Sequence, residues 1–142
     1  RYFNERKIKV SGYDRVCTTL TQQLEAEGIN IHYEENLSMI DQQAGLVVFT
    51  PAIPIDHQEL MYYRDNNYPV AKRSEVLQKI LQNYYTISVA GTHGKTTTST
   101  MIAHILQHSG RGCNAFLGGI SVNYNTNFWS DPENIAVVEA DE

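Results

Sequence analysis

The chain has 142 residues and a formal net charge of −5, so it is long enough for one ordinary domain, or for one small domain and part of another. The acidic balance argues against nucleic acid or an anionic membrane as the main partner, because both attract a basic face. No apolar run approaches the ~20 residues that span a bilayer.

The first half of the chain alternates short apolar stretches with helical patterns, which is typical of a parallel sheet with crossover helices. We predict strands over residues 7–11, 29–33 and 46–49, a helix over residues 17–27, and a short helix near residues 37–42. The apolar run at 46–49 predicts a strand that is buried on both faces. Asp56 is the predicted N-cap of a helix that ends near residue 66.

A brief strand over residues 69–71 and a helix over 74–82 lead to a joint at 83–84, where the pattern restarts. The second half has a strand from Tyr85, a helix, a strand near 114–117, a loop rich in Gly, Asn and Tyr, and a last strand over 135–138. The apolar face of that helix is predicted to consist of Met101, Ile102, Ile105 and Leu106. The fold class is therefore α/β, with a Rossmann-like parallel-sheet domain over 1–83 and the start of a P-loop ATPase-type domain over 84–142.

The most informative motif is the run G-T-H-G-K-T-T at residues 91–97, directly after an apolar stretch at 87–90. Its glycines allow a tight turn whose backbone N–H groups point into one concavity, and the following helix directs its positive dipole end at the same point. A polyphosphate fits such a loop. Lys95 would add a mobile positive charge for the outer phosphates, and the Thr96 hydroxyl would complete the coordination of Mg²⁺.

The usual P-loop pattern G-x-x-x-x-G-K-[ST] is not met, because counting back five residues from Gly94 reaches Val89 instead of glycine. The shorter G-x-x-G-K-T has the required context, with a β-branched strand before it and a helical pattern after it. The competing interpretation is a strand-to-helix turn whose glycines serve only packing. Lys95 followed by three threonines argues against that interpretation.

Acidic residues follow two of the predicted strands. Glu139 comes at the carboxyl end of the strand over 135–138, where open α/β sheets place ligand-binding groups, so it is a candidate Mg²⁺ ligand. Its alternative role is a surface carboxylate in a turn. Asp14 is a candidate acceptor for a ribose hydroxyl or, alternatively, a plain turn residue. Asp141 and Glu142 are also acidic, but the sequence does not separate their roles.

The cysteines and histidines of the sequence do not show the spacing of a structural metal site. Cys17 and Cys113 lie far apart and neither belongs to a C-x-x-C pair, so we expect no disulfide framework or structural zinc site and predict a reducing cytoplasm as the location. His104 and His108 are spaced i, i+4 but lack the glutamate of H-E-x-x-H and a third ligand. We predict two partly exposed helix histidines.

Three motifs, G-T-H-G-K-T-T at 91–97, F-L-G-G at 116–119 and V-V-E-A-D-E at 137–142, together resemble the Mur ligases in order and spacing. Upstream, V-S-G-Y-D at 10–14, T-P-A-I-P at 50–54 followed by Asp56 and Glu59, and K-R-S-E-V-L at 72–77 look like the substrate-domain segments of that family. The resemblance covers essentially the whole chain, and the joint occurrence of the motifs is highly specific.

The resemblance implies an ATP-dependent amide ligase of peptidoglycan synthesis that joins L-alanine to the lactyl carboxylate of UDP-N-acetylmuramate through an acyl phosphate. It implies that the part before residue 83 binds the UDP moiety, with Asp14 as a candidate contact. It assigns Mg²⁺ to Thr96 and Glu139 and a catalytic role to Lys95, and it leaves the oligomeric state open. The implied ATP-binding residues are Gly91, Thr92, His93, Gly94, Lys95, Thr96 and Thr97.

The resemblance also implies parts of a ligase that this sequence does not carry. The family's glycine-rich loop for the UDP diphosphate should precede Arg1, and the rest of the ATPase domain and a carboxyl-terminal domain, with the alanine-binding residues, should follow Glu142. We therefore expect the 142-residue stretch to be inactive by itself and its full-length parent to turn over ATP with alanine.

Other functions stay open at this point. A murein-recycling ligase that attaches a tripeptide to the same UDP-sugar shares the 91–97 motif and E-A-D-E, whereas T-P-A-I-P and K-R-S-E-V-L favour the alanine enzyme. A folate-type polyglutamate ligase shares the shorter loop. A noncatalytic P-loop nucleotide-binding module is the alternative from a different class, although the sequence has no N-K-x-D motif of a GTPase and no G-x-G-x-x-G of a dehydrogenase.

Overall fold

The computed structural model describes residues 1–140 and divides the chain into two compact units. The first runs from Arg1 to Gln78 apart from Tyr2, and the second comprises Tyr2 and the chain from Lys79 onward. Asp141 and Glu142, whose roles the sequence left unassigned, lie outside the described residues. Within residues 1–140, none of the helices combines the length and the hydropathy that crossing a bilayer requires.

The first unit contains two parallel β-α-β crossovers. The first consists of β1 (Ser11–Tyr13), α2 (Thr19–Ala26) and β2 (Asn30–His32), and the second of β3 (Val47–Phe49), α3 (Gln58–Asp65) and β4 (Val70–Lys72). α1 (Tyr2–Glu5) precedes them, and α4 (Arg73–Leu81) follows them and crosses the division between the units. β1 pairs with β2, and β3 pairs with β4, each in parallel. The parallel pairing with intervening helices confirms the predicted α/β class.

The helix predicted near residues 37–42 does not form. Asn36 Oδ1 accepts hydrogen bonds from Ser38 N at 2.9 Å and Ser38 Oγ at 2.8 Å, and Asp41 Oδ1 accepts one from Gln43 N at 2.9 Å. Side chains that bond the backbone two residues on stabilise turns in competition with helix. The segment is accordingly a series of turns.

Two further predictions for the first unit are wrong. The run at 46–49 is not buried on both faces, since Leu46 is 42% and Val48 is 43% exposed; β3 is hydrogen-bonded to β4 in a sheet of two strands, which covers little surface. The N-cap of α3 is His57, not Asp56, because His57 Nδ1 accepts from Leu60 N at 3.4 Å.

The first strand also begins later than predicted, at Ser11 instead of Lys7. Lys7 adopts a left-handed φ of 63° and donates its backbone N–H to Asn4 O at 2.9 Å, so it ends the turn that follows α1. A residue in that conformation cannot extend a strand.

The second unit is built on a four-stranded sheet with the order β5-β8-β6-β7. Its elements are β5 (Tyr85–Val89), α5 (Lys95–His108), β6 (Asn114–Ser121), β7 (Thr126–Trp129) and β8 (Ile135–Glu139). β8 pairs in parallel with both β5 and β6, and β7 pairs antiparallel with β6. The second half of β6 and the whole of β7 form where the sequence predicted a loop. That prediction rested on Gly118 and Gly119, since glycine is more typical of loops than of strands.

The core of the second unit lies between α5 and the sheet. Its buried members are Ala103, Cys113, Ala115, Leu117 and Val137. Ile102 and Leu106 pack against this cluster, as predicted, whereas Met101 and Ile105 are 59% and 62% exposed. The face of α5 that packs on the sheet is therefore rotated about the helix axis relative to the predicted face. It includes the small residue Ala103 and excludes Met101 and Ile105.

Candidate functional site

The strand register of the second unit brings the P-loop and Glu139 to one edge of the sheet. Val89, the last residue of β5, lies opposite Glu139, the last residue of β8, and Ala140 N donates to Val89 O at 3.0 Å. Because β5 and β8 are parallel neighbours, the segment after each strand leaves the sheet at the same edge. This is the position where open α/β sheets bind ligands.

The loop between β5 and α5 depends on two glycines with positive φ. Gly91 has a φ of 144° and Gly94, the N-cap of α5, has a φ of 75°. A glycine N-cap has no side-chain oxygen, and no side chain of residues 1–140 caps this helix. The first-turn N–H groups of a 14-residue helix are thus open to an external anion, together with the positive end of the helix dipole.

The polar side chains of the loop carry charge and hydroxyl groups to the same place. Lys95 Nζ donates to Gly91 O at 2.6 Å, so its ammonium group lies across the loop from its own helix. His93 is exposed, and its ring Nδ1 lies 3.2 Å from Thr92 Oγ1. Thr97 is exposed on the first turn of α5.

Thr96 and Glu139, the two predicted Mg²⁺ ligands, are in direct contact. Thr96 Oγ1 donates to Glu139 Oε2 at 3.0 Å, although 43 residues separate them in sequence. Mg²⁺ takes oxygen ligands in near-octahedral geometry at about 2.0–2.1 Å, which places neighbouring ligand oxygens about 3 Å apart. The type and spacing of these two oxygens fit that ion.

Two further groups contact the Glu139 carboxylate, and neither belongs to a residue with a role predicted from the sequence. Gly118 N donates to Glu139 Oε1 at 2.7 Å, and Ser99 Oγ lies 3.2 Å from the same oxygen. Ser99 has no exposed surface. A signal for it was available, since Ser99 follows Thr96 by three residues and therefore shares a helix face with it. Gly118 belongs to the F-L-G-G motif at 116–119, whose letters by themselves do not indicate a contact with Glu139.

Asp14, the predicted ribose contact, belongs to the first unit and directly follows β1. Its backbone N–H donates to His32 O at 3.1 Å, which continues the β1–β2 pairing, and its Oδ1 accepts from Val16 N at 3.0 Å. The side chain is exposed and forms an Asx turn, the alternative that the sequence left open.

The histidine pair on α5 has local partners. His104 Nδ1 lies 2.7 Å from the Tyr124 hydroxyl, and the rings of His104 and His108 are tilted by 36° with centroids 4.0 Å apart. His108 is exposed and His104 is half-buried. Within residues 1–140 there is no cluster of three or more His, Cys, Asp or Glu side chains suited to a metal ion.

Comparison with known proteins covers both units of the chain. Residues 1–85 match the Mur ligase family, catalytic domain, and residues 89–140 match the Mur ligase middle domain. The UDP-N-acetylmuramate–L-alanine ligases of Porphyromonas gingivalis and Phocaeicola vulgatus are 50% and 51% identical to this chain over its whole length. In both comparisons the chain spans 32% of the relative's length.

Solved structures give the same relationship. The UDP-N-acetylmuramate:L-alanyl-gamma-D-glutamyl-meso-diaminopimelate ligase (MPL) of Neisseria meningitides superimposes with a TM-score of 0.86 at 27% identity, over 98% of this chain and 47% of that one. The UDP-N-acetylmuramate-alanine ligase MurC of Thermotoga maritima superimposes with a TM-score of 0.82 at 28% identity, over 92% and 31%. The chain belongs to the Mur ligase family.

Proposed function

We propose that this chain is the UDP-substrate-binding and ATP-phosphate-binding part of a cytoplasmic ligase that joins L-alanine to the lactyl carboxylate of UDP-N-acetylmuramate in peptidoglycan synthesis. The observation that carries the proposal is the identity of about 50%, across both units, to relatives named for this reaction. The site geometry of the second unit supports the ATP-dependent half of it.

ATP would bind with its phosphates in the loop at 91–97. The open N–H groups at the start of α5 and the helix dipole favour a polyanion, and Gly91 and Gly94 let the backbone approach it closely. Lys95 would exchange its hydrogen bond to Gly91 O for one to an outer phosphate, because an ammonium group bonds a charged phosphate oxygen more strongly than a neutral carbonyl oxygen.

Thr96 and Glu139 would hold Mg²⁺, through the oxygens that lie 3.0 Å apart. When bound, the ion supplies positive charge that neutralises the β- and γ-phosphates. Glu139 also accepts hydrogen bonds from its own surroundings, so its carboxylate is already oriented toward the loop. The chain thus needs little rearrangement at this point of the site to accept an ion.

The chemistry proceeds in two steps. A lactyl carboxylate oxygen attacks the γ-phosphorus of ATP, which forms an acyl phosphate and releases ADP. The alanine amine then attacks the acyl carbon, loses a proton, and the tetrahedral intermediate collapses to the amide and inorganic phosphate. The first step brings two anions together, so Lys95 and the loop N–H groups serve to stabilise the charge of the transferring phosphoryl group.

The first unit would bind the UDP moiety. Asp14 lies directly after β1, at the carboxyl end of a parallel strand pair, where ribose-binding acids occur in nucleotide-binding sheets. Its Oδ1 accepts a backbone hydrogen bond, which fixes the side chain, and its exposed position leaves the carboxylate accessible to a hydroxyl donor.

The second candidate is a murein-recycling ligase, which uses a tripeptide in place of alanine. The superposition on the MPL structure of Neisseria meningitides favours it. The T-P-A-I-P and K-R-S-E-V-L segments favour the alanine enzyme, and so does the identity of 50% and 51% to the alanine ligases of Porphyromonas gingivalis and Phocaeicola vulgatus, against 27% to the MPL structure. A noncatalytic nucleotide-binding module is the third candidate and would bind ATP without amine-dependent turnover.

The test is an ATP hydrolysis assay on the full-length ligase that contains this chain. With UDP-N-acetylmuramate present, phosphate release should require L-alanine and should not be supported by the tripeptide L-alanyl-γ-D-glutamyl-meso-diaminopimelate. Preference for the tripeptide would assign the recycling reaction, and ATP binding without either turnover would assign the noncatalytic module. Lys95→Ala provides the site control, with turnover expected to fall roughly 10²- to 10³-fold because a preorganised charge at the phosphoryl group is lost.

A further inference from the structure

Within residues 1–140, three groups contact the Glu139 carboxylate, and they divide between its two oxygens. Oε1 accepts from Gly118 N at 2.7 Å and lies 3.2 Å from Ser99 Oγ. Oε2 lies 3.0 Å from Thr96 Oγ1. All of these residues belong to the second unit, so their arrangement is set by one compact body. The inference that follows rests on the proposed function, since it concerns how that site prepares its acidic ligand.

Ser99 has one hydroxyl proton and three acceptors within reach. Its Oγ lies 2.9 Å from Lys95 O and 3.1 Å from Thr96 O, in addition to Glu139 Oε1. Helix carbonyls already accept from backbone N–H groups one turn later, and a hydrogen bond to an ionised carboxylate is stronger than one to a neutral carbonyl. Ser99 therefore donates its hydroxyl proton to Oε1, which then accepts from two donors, Ser99 Oγ and Gly118 N.

Gly118 acts on the other oxygen as well. A Cβ at this position would lie 2.5 Å from Glu139 Oε2, closer than real Cβ contacts. Gly118 has no positive φ, so its backbone conformation does not itself require glycine. The contact with Oε2 is the structural reason for a residue without a side chain here.

We propose that Ser99 and Gly118 are positioning residues that occupy Glu139 Oε1 with two donors, and that Oε2 is thereby the oxygen presented with Thr96 Oγ1 to Mg²⁺. Ser99 and Gly118 do not touch the ion or the substrates in this arrangement. They fix the rotation of the carboxylate, as hydrogen bonds behind a metal ligand do in other metal sites. A carboxylate that rotates freely would lose the spacing of 3.0 Å to Thr96 Oγ1.

A purely structural role for Ser99 leads to a different expectation. A buried serine that only bonds the carbonyl four residues earlier slightly destabilises its helix, so its replacement by alanine would leave cation binding unchanged. The positioning role predicts the opposite result, namely a loss of cation affinity with little change in stability or in nucleotide affinity without the cation.

The experiment measures Mn²⁺ binding by electron paramagnetic resonance in the full-length ligase, with a non-hydrolysable ATP analogue present. Ser99→Ala removes a donor to Oε1, whereas Gly118→Ala keeps its N–H and adds a Cβ against Oε2. Each should raise the Kd for Mn²⁺ roughly 10- to 100-fold, the usual effect of disturbing a group that orients a metal ligand. Affinity for the analogue without divalent cation and the melting temperature should stay close to those of the unsubstituted enzyme. In turnover, both variants should need correspondingly more Mg²⁺ for half-maximal rate.

Two matched variants serve as controls. Ser109→Ala removes a hydroxyl that donates to a carbonyl of α5, Leu106 O at 2.8 Å. Gly45→Ala adds a Cβ that has no neighbour within 4 Å in the described part of the chain. Mn²⁺ affinities of Ser99→Ala and Gly118→Ala that match those of these controls would overturn the proposal. Absence of analogue binding by the unsubstituted enzyme would instead count against the proposed function, so the two failures are distinguishable.

Discussion

Lys95, Thr96 and Glu139 show which single residues a sequence reveals and which it does not. Lys95 and Thr96 stand in a local motif, and Glu139 ends a strongly apolar strand, so each was predictable from its neighbours in sequence. Ser99 and Gly118 act through contacts across 40 and 21 residues of chain. The helix face that Ser99 shares with Thr96 can be read from the local spacing, but its contact with Glu139, like that of Gly118, depends on which strands are adjacent.

Cys113 allows a prediction from its environment. Burial raises the pKa of its thiol above the ordinary value, because the thiolate is disfavoured away from water, whereas Cys17 is exposed. In the folded 142-residue chain we expect one thiol, Cys17, to react quickly with Ellman's reagent at pH 8, and Cys113 to react only in denaturant. A Cys17→Ser variant should show no fast reaction.

The same shift sets the sign of a pH effect on stability. Because folding raises the pKa of Cys113, the protonated thiol contributes to the free energy of unfolding. That contribution is fully present below the ordinary thiol pKa, and it is lost as the pH rises through the folded-state pKa. Cys113→Ala should remove this alkaline loss. Rapid labelling of both thiols in the native chain would contradict the assignment.

At the level of whole elements, α5 shows how far hydrophobic periodicity leads. The pattern predicted a helix in this segment, and the helix begins at Lys95, within the motif, because Gly94 takes the left-handed N-cap conformation. The face that packs on the sheet contains Ser99 and Ala103, both fully buried, and leaves Met101 and Ile105 exposed. Small residues permit close helix–sheet approach, and a ranking by hydrophobicity alone does not detect them.

The turn from α5 into β6 provides a stability prediction. Gly112 has a φ of 69°, and a Cβ there would lie 2.6 Å from Asp131 Oδ2 and would also clash with Oδ1. Gly112→Ala should lower the free energy of unfolding by about 2–4 kcal/mol, from left-handed strain together with overpacking. Urea unfolding followed by the fluorescence of Trp129, the one tryptophan of the chain, measures it.

Gly110→Ala separates the two causes. Gly110 shares the positive φ, at 76°, but a Cβ there would meet no atom of residues 1–140 within 4 Å. This variant should cost only the backbone strain, about 1–2 kcal/mol. Equal losses for the two variants would show that the contact with Asp131 has no effect.

On the scale of the whole molecule, the chain consists of two units with separate predicted ligands. The division after Gln78 is close to the joint predicted at 83–84, and the two family matches meet between residues 85 and 89. The first unit carries Asp14, and the second carries the loop at 91–97 and Glu139. The proposed function therefore assigns one nucleotide to each unit.

Hydrogen exchange of the full-length ligase tests that assignment. A non-hydrolysable ATP analogue with Mg²⁺ should slow amide exchange in peptides that cover residues 90–97, because loop N–H groups would donate to the phosphates. UDP-N-acetylmuramate should instead protect peptides of the first unit around residue 14. Adenosine, which lacks phosphates, should leave the loop unprotected. Protection of the same unit by both nucleotides would contradict the assignment.

The sequence by itself determined the α/β class, the P-loop with its lysine and threonine, and the acid at the end of β8. These features depend on periodicity and on residues close together in the chain, which a sequence displays directly. Only the tertiary structure decided the strand order β5-β8-β6-β7, the exposure of Leu46 and Val48, and the contacts of Ser99 and Gly118 with Glu139. Those depend on which strands pair and what covers them, because long-range packing is set by the whole chain and not by any local segment.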